Sequence, residues 1–187
     1  LRASYRMEID KIVNNLIRSA RQKIAVIYQD DAFGKDGLRS AEAALKKHGL
    51  KPVAIATVQR NSAQINPALR VLEKAQPNAV IIISTYVSSA ALSKALLQKN
   101  IKARIMNVSF VGTRALENSL PVGQANGIGV SQVVPFPWDR WIPVVADYQR
   151  LMRGHNSSAR LGFASWEGFH ASTLLTGSLQ NVTSAST

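Results

Sequence analysis

The side chains that carry covalent chemistry are sparse in this sequence and poorly grouped for it. Cysteine is absent, and the histidines His48, His155 and His170 lie far apart, on or beside stretches that read as helix. A zinc site needs clustered nitrogen, sulfur or carboxylate ligands, and thiol catalysis needs a cysteine. Asp30 and Asp31 close the first extended run, where a phosphate-accepting receiver domain keeps its acids. Such a domain also needs an aspartate at the end of its third strand, and Ser84-Thr85 stands there instead. No G-x-G-x-x-G follows the first strand, Gly127-Ile128-Gly129 lacks the third glycine, and there is no Walker lysine. We therefore expect no catalysis, no cofactor and no metal. What is grouped is polar and aromatic: Tyr28-Gln29-Asp30-Asp31-Ala32-Phe33-Gly34, Ser84-Thr85-Tyr86, Asn107-Val108-Ser109-Phe110 and Ser131-Gln132. Rings, hydroxyls and amides together suit noncovalent capture of a small molecule.

The elements that would position these segments follow from apolar spacing. Ile9, Ile12, Val13, Leu16 and Ile17 form one stripe of an amphipathic helix over about 4–21. Lys23–Tyr28 reads as a strand buried on both faces. The spacing then predicts a helix with Leu38, Ala41, Ala44 and Leu45 inward, stopped at Gly49, and a strand near Pro52–Val58. A helix over 62–75, a strand 79–84, a helix 87–99, a strand 104–109, a short helical turn after Gly112 and a strand 127–134 complete the series. Strands alternating with helices make βαβ units, whose right-handed crossovers give a parallel five-stranded sheet flanked by helices in an α/β fold. The flavodoxin-like order 2-1-3-4-5 is expected. In such sheets ligands bind beyond the carboxyl ends of the strands, and all four polar and aromatic segments fall there. Each has a structural alternative: Asp30 and Asp31 precede a helix and suit capping, Phe33 suits a core, and Tyr86 and Ser109 suit a helix start and a turn.

After Pro135-Phe136-Pro137 the pattern changes to two helices, about 141–153 and 165–180, with no strand between them. Their aromatics Trp138, Trp141, Trp166 and Phe169 call for a covering surface, either a second copy of the chain or the protein's own lobe. The expected division is 1–134, a complete lobe, and 135–187, part of another.

Composition agrees with a globular chain. Of 187 residues 46% are hydrophobic and 18% charged, with mean hydropathy −0.02. No apolar run approaches the eighteen or so residues that span a bilayer. The 23 basic against 11 acidic residues give a net charge of +12. The basic residues are dispersed as solvated helix-face positions (Arg18, Arg21, Arg39, Lys46, Lys47), without aromatic interleaving, so no nucleic-acid partner is expected.

The order of these segments, with Gly127–Pro135 and Ser165-Trp166-Glu167-Gly168-Phe169 following, resembles the type I periplasmic solute-binding proteins, in particular the leucine/isoleucine/valine-binding branch that supplies ABC transporters. The resemblance covers about residues 3–180. It implies two Rossmann-like lobes closing on a ligand, with this chain holding the second lobe and, from the crossover near Val133–Pro137, part of the first. It implies a periplasmic location after removal of a signal peptide from the precursor, and a membrane permease as partner. The same fold in a ligand-sensing domain of a regulator or receptor is the alternative. Phe33, Tyr86, Ser109, Phe110 and Gln132 then become the ligand-binding residues. Ser109 stands where amino-acid-binding members place an acid for the ligand ammonium, a pairing a serine cannot supply. Glu167 is a second candidate acid if its helix faces the cleft, with a surface or capping role as the alternative. The ligand class stays open among amino acids, amides and small carboxylates. The fragment's uncovered aromatics imply self-association.

Overall fold

The computed structural model describes residues 2–184, with side chains to Leu179. It divides into two compact units, Ala3–Ser131, and Arg2 with Gln132 onward.

In the first unit, α1 (Tyr5–Arg18) starts where the Ser4 hydroxyl accepts the Met7 N–H at 3.3 Å, and buries Ile9, Ile12, Val13 and Leu16. β1 (Ile24–Gln29), α2 (Ala32–Lys46), β2 (Ala54–Val58), α3 (Asn66–Ala75), β3 (Ala79–Ile83), α4 (Tyr86–Gln98), β4 (Arg104–Asn107), α5 (Thr113–Asn118) and β5 (Gly129–Val130) follow. The strands form one sheet in the order β2-β1-β3-β4-β5, parallel throughout, with Ile27 opposite Ile82 and Ile82 opposite Asn107. This is the α/β architecture and strand order expected.

Alternation explains why β1 and β3 carry almost unbroken apolar runs. Ile24, Val26, Ile81 and Ile83 face one way, against Ile9, Leu16, Ala41 and Leu45 of α1 and α2. Ala25, Ile27, Val80 and Ile82 face the other, against Leu69, Leu72, Leu92 and Leu96 of α3 and α4. Side chains two apart share a face, so a strand covered on both sides is apolar at every position. Two glycines bring α2 close to this sheet. A Cβ on Gly34 would fall on the Gln29 carbonyl, and one on Gly37 would come within 2.7 Å of the Ile83 side chain.

Four strands are shorter than their spacing suggests, β2 and β3 by one or two residues and β4 and β5 for reasons visible in the chain. β4 ends at Asn107 because the chain turns into a 3-10 segment, Ser109–Val111. β5 is two residues long, not eight: a turn occupies the residues before Gly129, and after Val130 the link to the neighbouring strand is made by Ser131, whose N–H and hydroxyl both donate to Asn107 O, at 2.9 and 3.3 Å.

The second unit packs α6 (Pro143–His155) against α7 (Phe163–Ser184). Its core is Val145, Tyr148 and Trp166, flanked by Val134, Ile142, Met152, Leu161 and Phe169. The Tyr148 hydroxyl lies 2.6 Å from Ser165 Oγ and accepts the Gly162 N–H at 3.0 Å. Trp166, expected to need a second copy of the chain or the protein's own lobe as cover, is buried within this unit by Tyr148 and Phe169, ring centroids 5.2 and 5.5 Å away. Phe136, Trp138 and Trp141 remain exposed. Residues 185–187 of the expected second division lie outside the described residues.

Candidate functional site

The carboxyl ends of β1, β3 and β4 form the candidate site, and local chemistry fixes each of them. After β1, Asp31 caps α2, accepting the Gly34 N–H at 2.9 Å and a hydrogen bond from the Gln29 side-chain amide. The Gly34 bond holds the Asp31 carboxyl below the usual aspartate range. The Gln29 amide and the charge of Arg60 add to this effect against the opposing influence of burial. Asp30 pairs with Lys35 at 3.2 Å. Both acids therefore serve the loop and the helix start.

The capped turn leaves Phe33 half-buried at the sheet edge, where it meets two other rings. Phe33 and Phe110 lie 4.7 Å apart between centroids, and Tyr5 stands edge-on to both at 5.0 and 6.3 Å. Phe110 is 40% exposed. Such ring pairs contribute about 0.5–1.5 kcal/mol each beyond area burial, enough to fix the rings' relative orientation. The result is an aromatic patch built from α1, the start of α2 and the turn after β4.

Beside it lies a buried carboxylate. Glu8 is 4% exposed. Its carboxylate accepts the Ser109 N–H at 2.8 Å, the Ser109 hydroxyl at 2.9 Å and the Ser131 hydroxyl at 2.6 Å. A buried charge is tolerable when its lone pairs are filled in this way. Glu8 thus ties α1 to the turn after β4 and to the residue that closes β5. Asn107, also buried, accepts the Ser89 hydroxyl at 2.6 Å and donates to Gly129 O at 3.3 Å, joining β4 to α4 and β5.

A family model, described as periplasmic binding protein, matches residues 1–184. The chain belongs to that family. Its fold is the type I form. A possible leucine/isoleucine/valine-binding protein from Rhodopirellula baltica SH 1 is 33% identical, with a TM-score of 0.82 over 90% of this chain and 47% of its own. A substrate-binding periplasmic protein from Ralstonia solanacearum is 28% identical, TM-score 0.81, over 90% and 48%. A branched chain amino acid ABC transporter protein from Thermus thermophilus with bound valine, at 17% identity and TM-score 0.71 over 83% and 40%, shares the fold. The chain spans about half the length of these structures. No curated protein sequence matches it.

Within this periplasmic binding protein chain, the five residues singled out by sequence have different settings. Phe33 and Phe110 come together. Tyr86 opens α4 after β3 and is 42% exposed. Ser109 reaches the same edge with its hydroxyl donated to Glu8. Gln132 belongs to the other compact unit. Glu167 pairs with Arg2 at 3.1 Å in that unit. Two buried polar atoms at the strand ends, Gln29 Oε1 and Thr85 Oγ1, have no hydrogen-bond partner among the described residues. No helix among them is long and apolar enough to cross a membrane, and they hold no group of three His, Asp or Glu placed to bind a metal.

Sequence reasoning missed Tyr5 and Glu8. A signal for Glu8 existed: it lies four residues before Ile12 and next to Ile9, so it shares the buried stripe of α1. A carboxylate on an apolar face needs partners.

Proposed function

We propose that the chain is part of an exported solute-binding protein that captures a small polar or amino-acid-like ligand for an ABC importer, without catalysis. Residues up to about 134 form one lobe of the trap. Those beyond it begin the other, whose remainder lies in sequence not included in these 187 residues. The observation that carries the reading is the aromatic patch of Tyr5, Phe33 and Phe110 at the carboxyl edge of a parallel sheet, where ligands of open α/β sheets bind. Support comes from the family match, from relatives about twice as long, and from the aromatics Phe136, Trp138 and Trp141 left exposed before α6.

On this reading Phe33 and Phe110 pack against the apolar part of the ligand, and Tyr86 and Gln132 supply polar contacts. Ser109 contributes its hydroxyl oxygen, with the charge an acid would bring lying behind it on Glu8. The permease is the membrane partner, and the periplasm the location.

A thermal-shift panel of amino acids, amides and small carboxylates tests the assignment. A ligand at 100 times its dissociation constant stabilises by about 2.7 kcal/mol, and half a trap requires millimolar concentrations to reach that regime. The expected result is a shift for one chemical class, abolished in Phe33→Ala and in Phe110→Ala. A shift that survives both substitutions overturns the site, and turnover of any panel member overturns the noncatalytic reading.

A further inference from the structure

At the amino ends of the strands, opposite the aromatic edge, the sheet unit holds a pocket of about 270 Å³. Three cations line it: Arg21, which precedes β1, Lys102, which precedes β4, and Arg104, the first residue of β4. The side-chain amides of Gln124 and Asn126 complete the polar wall, and no acidic residue lines it. Arg21, Lys102 and Arg104 pair with no acid among the described residues.

The fold anchors the Arg21 guanidinium beside the backbone of Arg104. Arg21 Nη1 donates to the Asn78 carbonyl at 3.0 Å, and the same oxygen accepts the Arg104 backbone N–H, also at 3.0 Å. One carbonyl thus fixes a guanidinium next to the start of β4. Gly127, at φ +86°, runs under the Arg104 side chain, and a Cβ there would lie 4.0 Å from Arg104 Nη1. Like charges gathered in one concavity repel, the more so at low ionic strength. An oxyanion would relieve that repulsion, and guanidinium forks match its oxygens in geometry.

We propose that this pocket binds a phosphate group. Three cations and two amide donors favour a dianion over a single carboxylate, and the volume suits a phosphate with a small substituent better than a larger solute. The phosphate belongs either to a soluble phosphate compound or to a phospholipid headgroup.

The test titrates the 187-residue chain with inorganic phosphate at constant ionic strength, followed by amide NMR, with chloride as the comparison anion. The expected result is saturable one-to-one binding that shifts the amides of Arg104 and Asn126. The variant Lys102→Gln/Arg104→Gln should weaken it by about tenfold or more, the loss expected from removing two charged contacts. The variant Lys46→Gln/Lys51→Gln removes the same charge from an exposed surface elsewhere and should change affinity less than about twofold. A second arm sediments the chain with phosphatidylcholine vesicles, with and without phosphatidic acid. Saturation by inorganic phosphate without sedimentation identifies a soluble phosphate. Sedimentation that depends on phosphatidic acid and on Lys102 and Arg104 identifies the headgroup. Equal weakening by the two double variants overturns the proposal as general charge attraction, and so does the absence of both saturation and sedimentation. All four substituted side chains are exposed, and matching thermal melts confirm that the variants fold.

Discussion

The sheet unit and the helical unit obey the same packing rules and reach different degrees of closure. In the first, β1 and β3 are covered on both faces by helices of the same unit, and every side chain of β3 is buried. In the second, Val145, Tyr148 and Trp166 form the buried core, while Phe136, Trp138, Trp141, Leu151 and Leu175 stay in water. A parallel sheet with crossover helices supplies its own two covers, whereas a helix pair has one seam and leaves its outer faces bare. Stability should therefore be concentrated in the sheet unit, and substitutions can test that contrast.

The largest effect is expected at the sheet centre. Ile82→Ala deletes a fully buried side chain and should cost about 2–5 kcal/mol in urea unfolding of the sheet unit. A cost below 1 kcal/mol would mean that the core has collapsed around the site. Glu8→Ala comes next, at about 1–3 kcal/mol, because it removes the Glu8 acceptor of the Ser109 N–H and hydroxyl and the shorter of the two bonds of the Ser131 hydroxyl. Hydrogen exchange at the Ser109 amide should accelerate with it, whereas a merely global loss of stability would raise exchange equally in β3.

Asp31→Asn should have a smaller, pH-dependent effect. Asp31 has a lowered carboxyl pKa in the folded chain, so its charge stabilises the fold above the unfolded-state value and the contribution is lost as pH falls through the folded one. Asparagine keeps a capping oxygen without the charge. The variant should be slightly less stable at neutral pH, and the two melting curves should converge below about pH 4. Parallel curves across that range would remove the charge from the account. The smallest effect belongs to the helical unit's surface: Trp141→Ala, 84% exposed, should change unfolding free energy by less than about 0.5 kcal/mol. It should reduce any self-association seen by light scattering.

How much of this was readable in the sequence depended on the range of the interactions. Ala79–Ile83 declares a doubly covered strand in its own five residues, and Asp31 declares a cap in the residues that follow it, so strand order and loop geometry could be expected from local pattern. Glu8 finds Ser109 and Ser131 across 101 and 123 residues, and no local pattern names those partners. The same holds for Tyr5 with Phe33 and Phe110. β5 is shorter than the apolar spacing from 127 to 134 suggests because this segment is at most half-buried and pairs with β4 only briefly. Trp166 calls for an outside covering surface in the sequence because its partner Tyr148 lies on the other helix, and helix pairing leaves only a weak trace in composition.

The Glu8 carboxylate also has a topological consequence. It joins the first turn of α1 to Ser131, so the polypeptide enters and leaves the sheet unit at neighbouring points. A module whose ends meet can be spliced into a host chain with little cost in loop closure, and can be cut and rejoined elsewhere on its surface. Residues 3–131 are therefore suited to act as a cassette: a circular permutant closing 131 to 3 through a short linker should keep the parallel sheet.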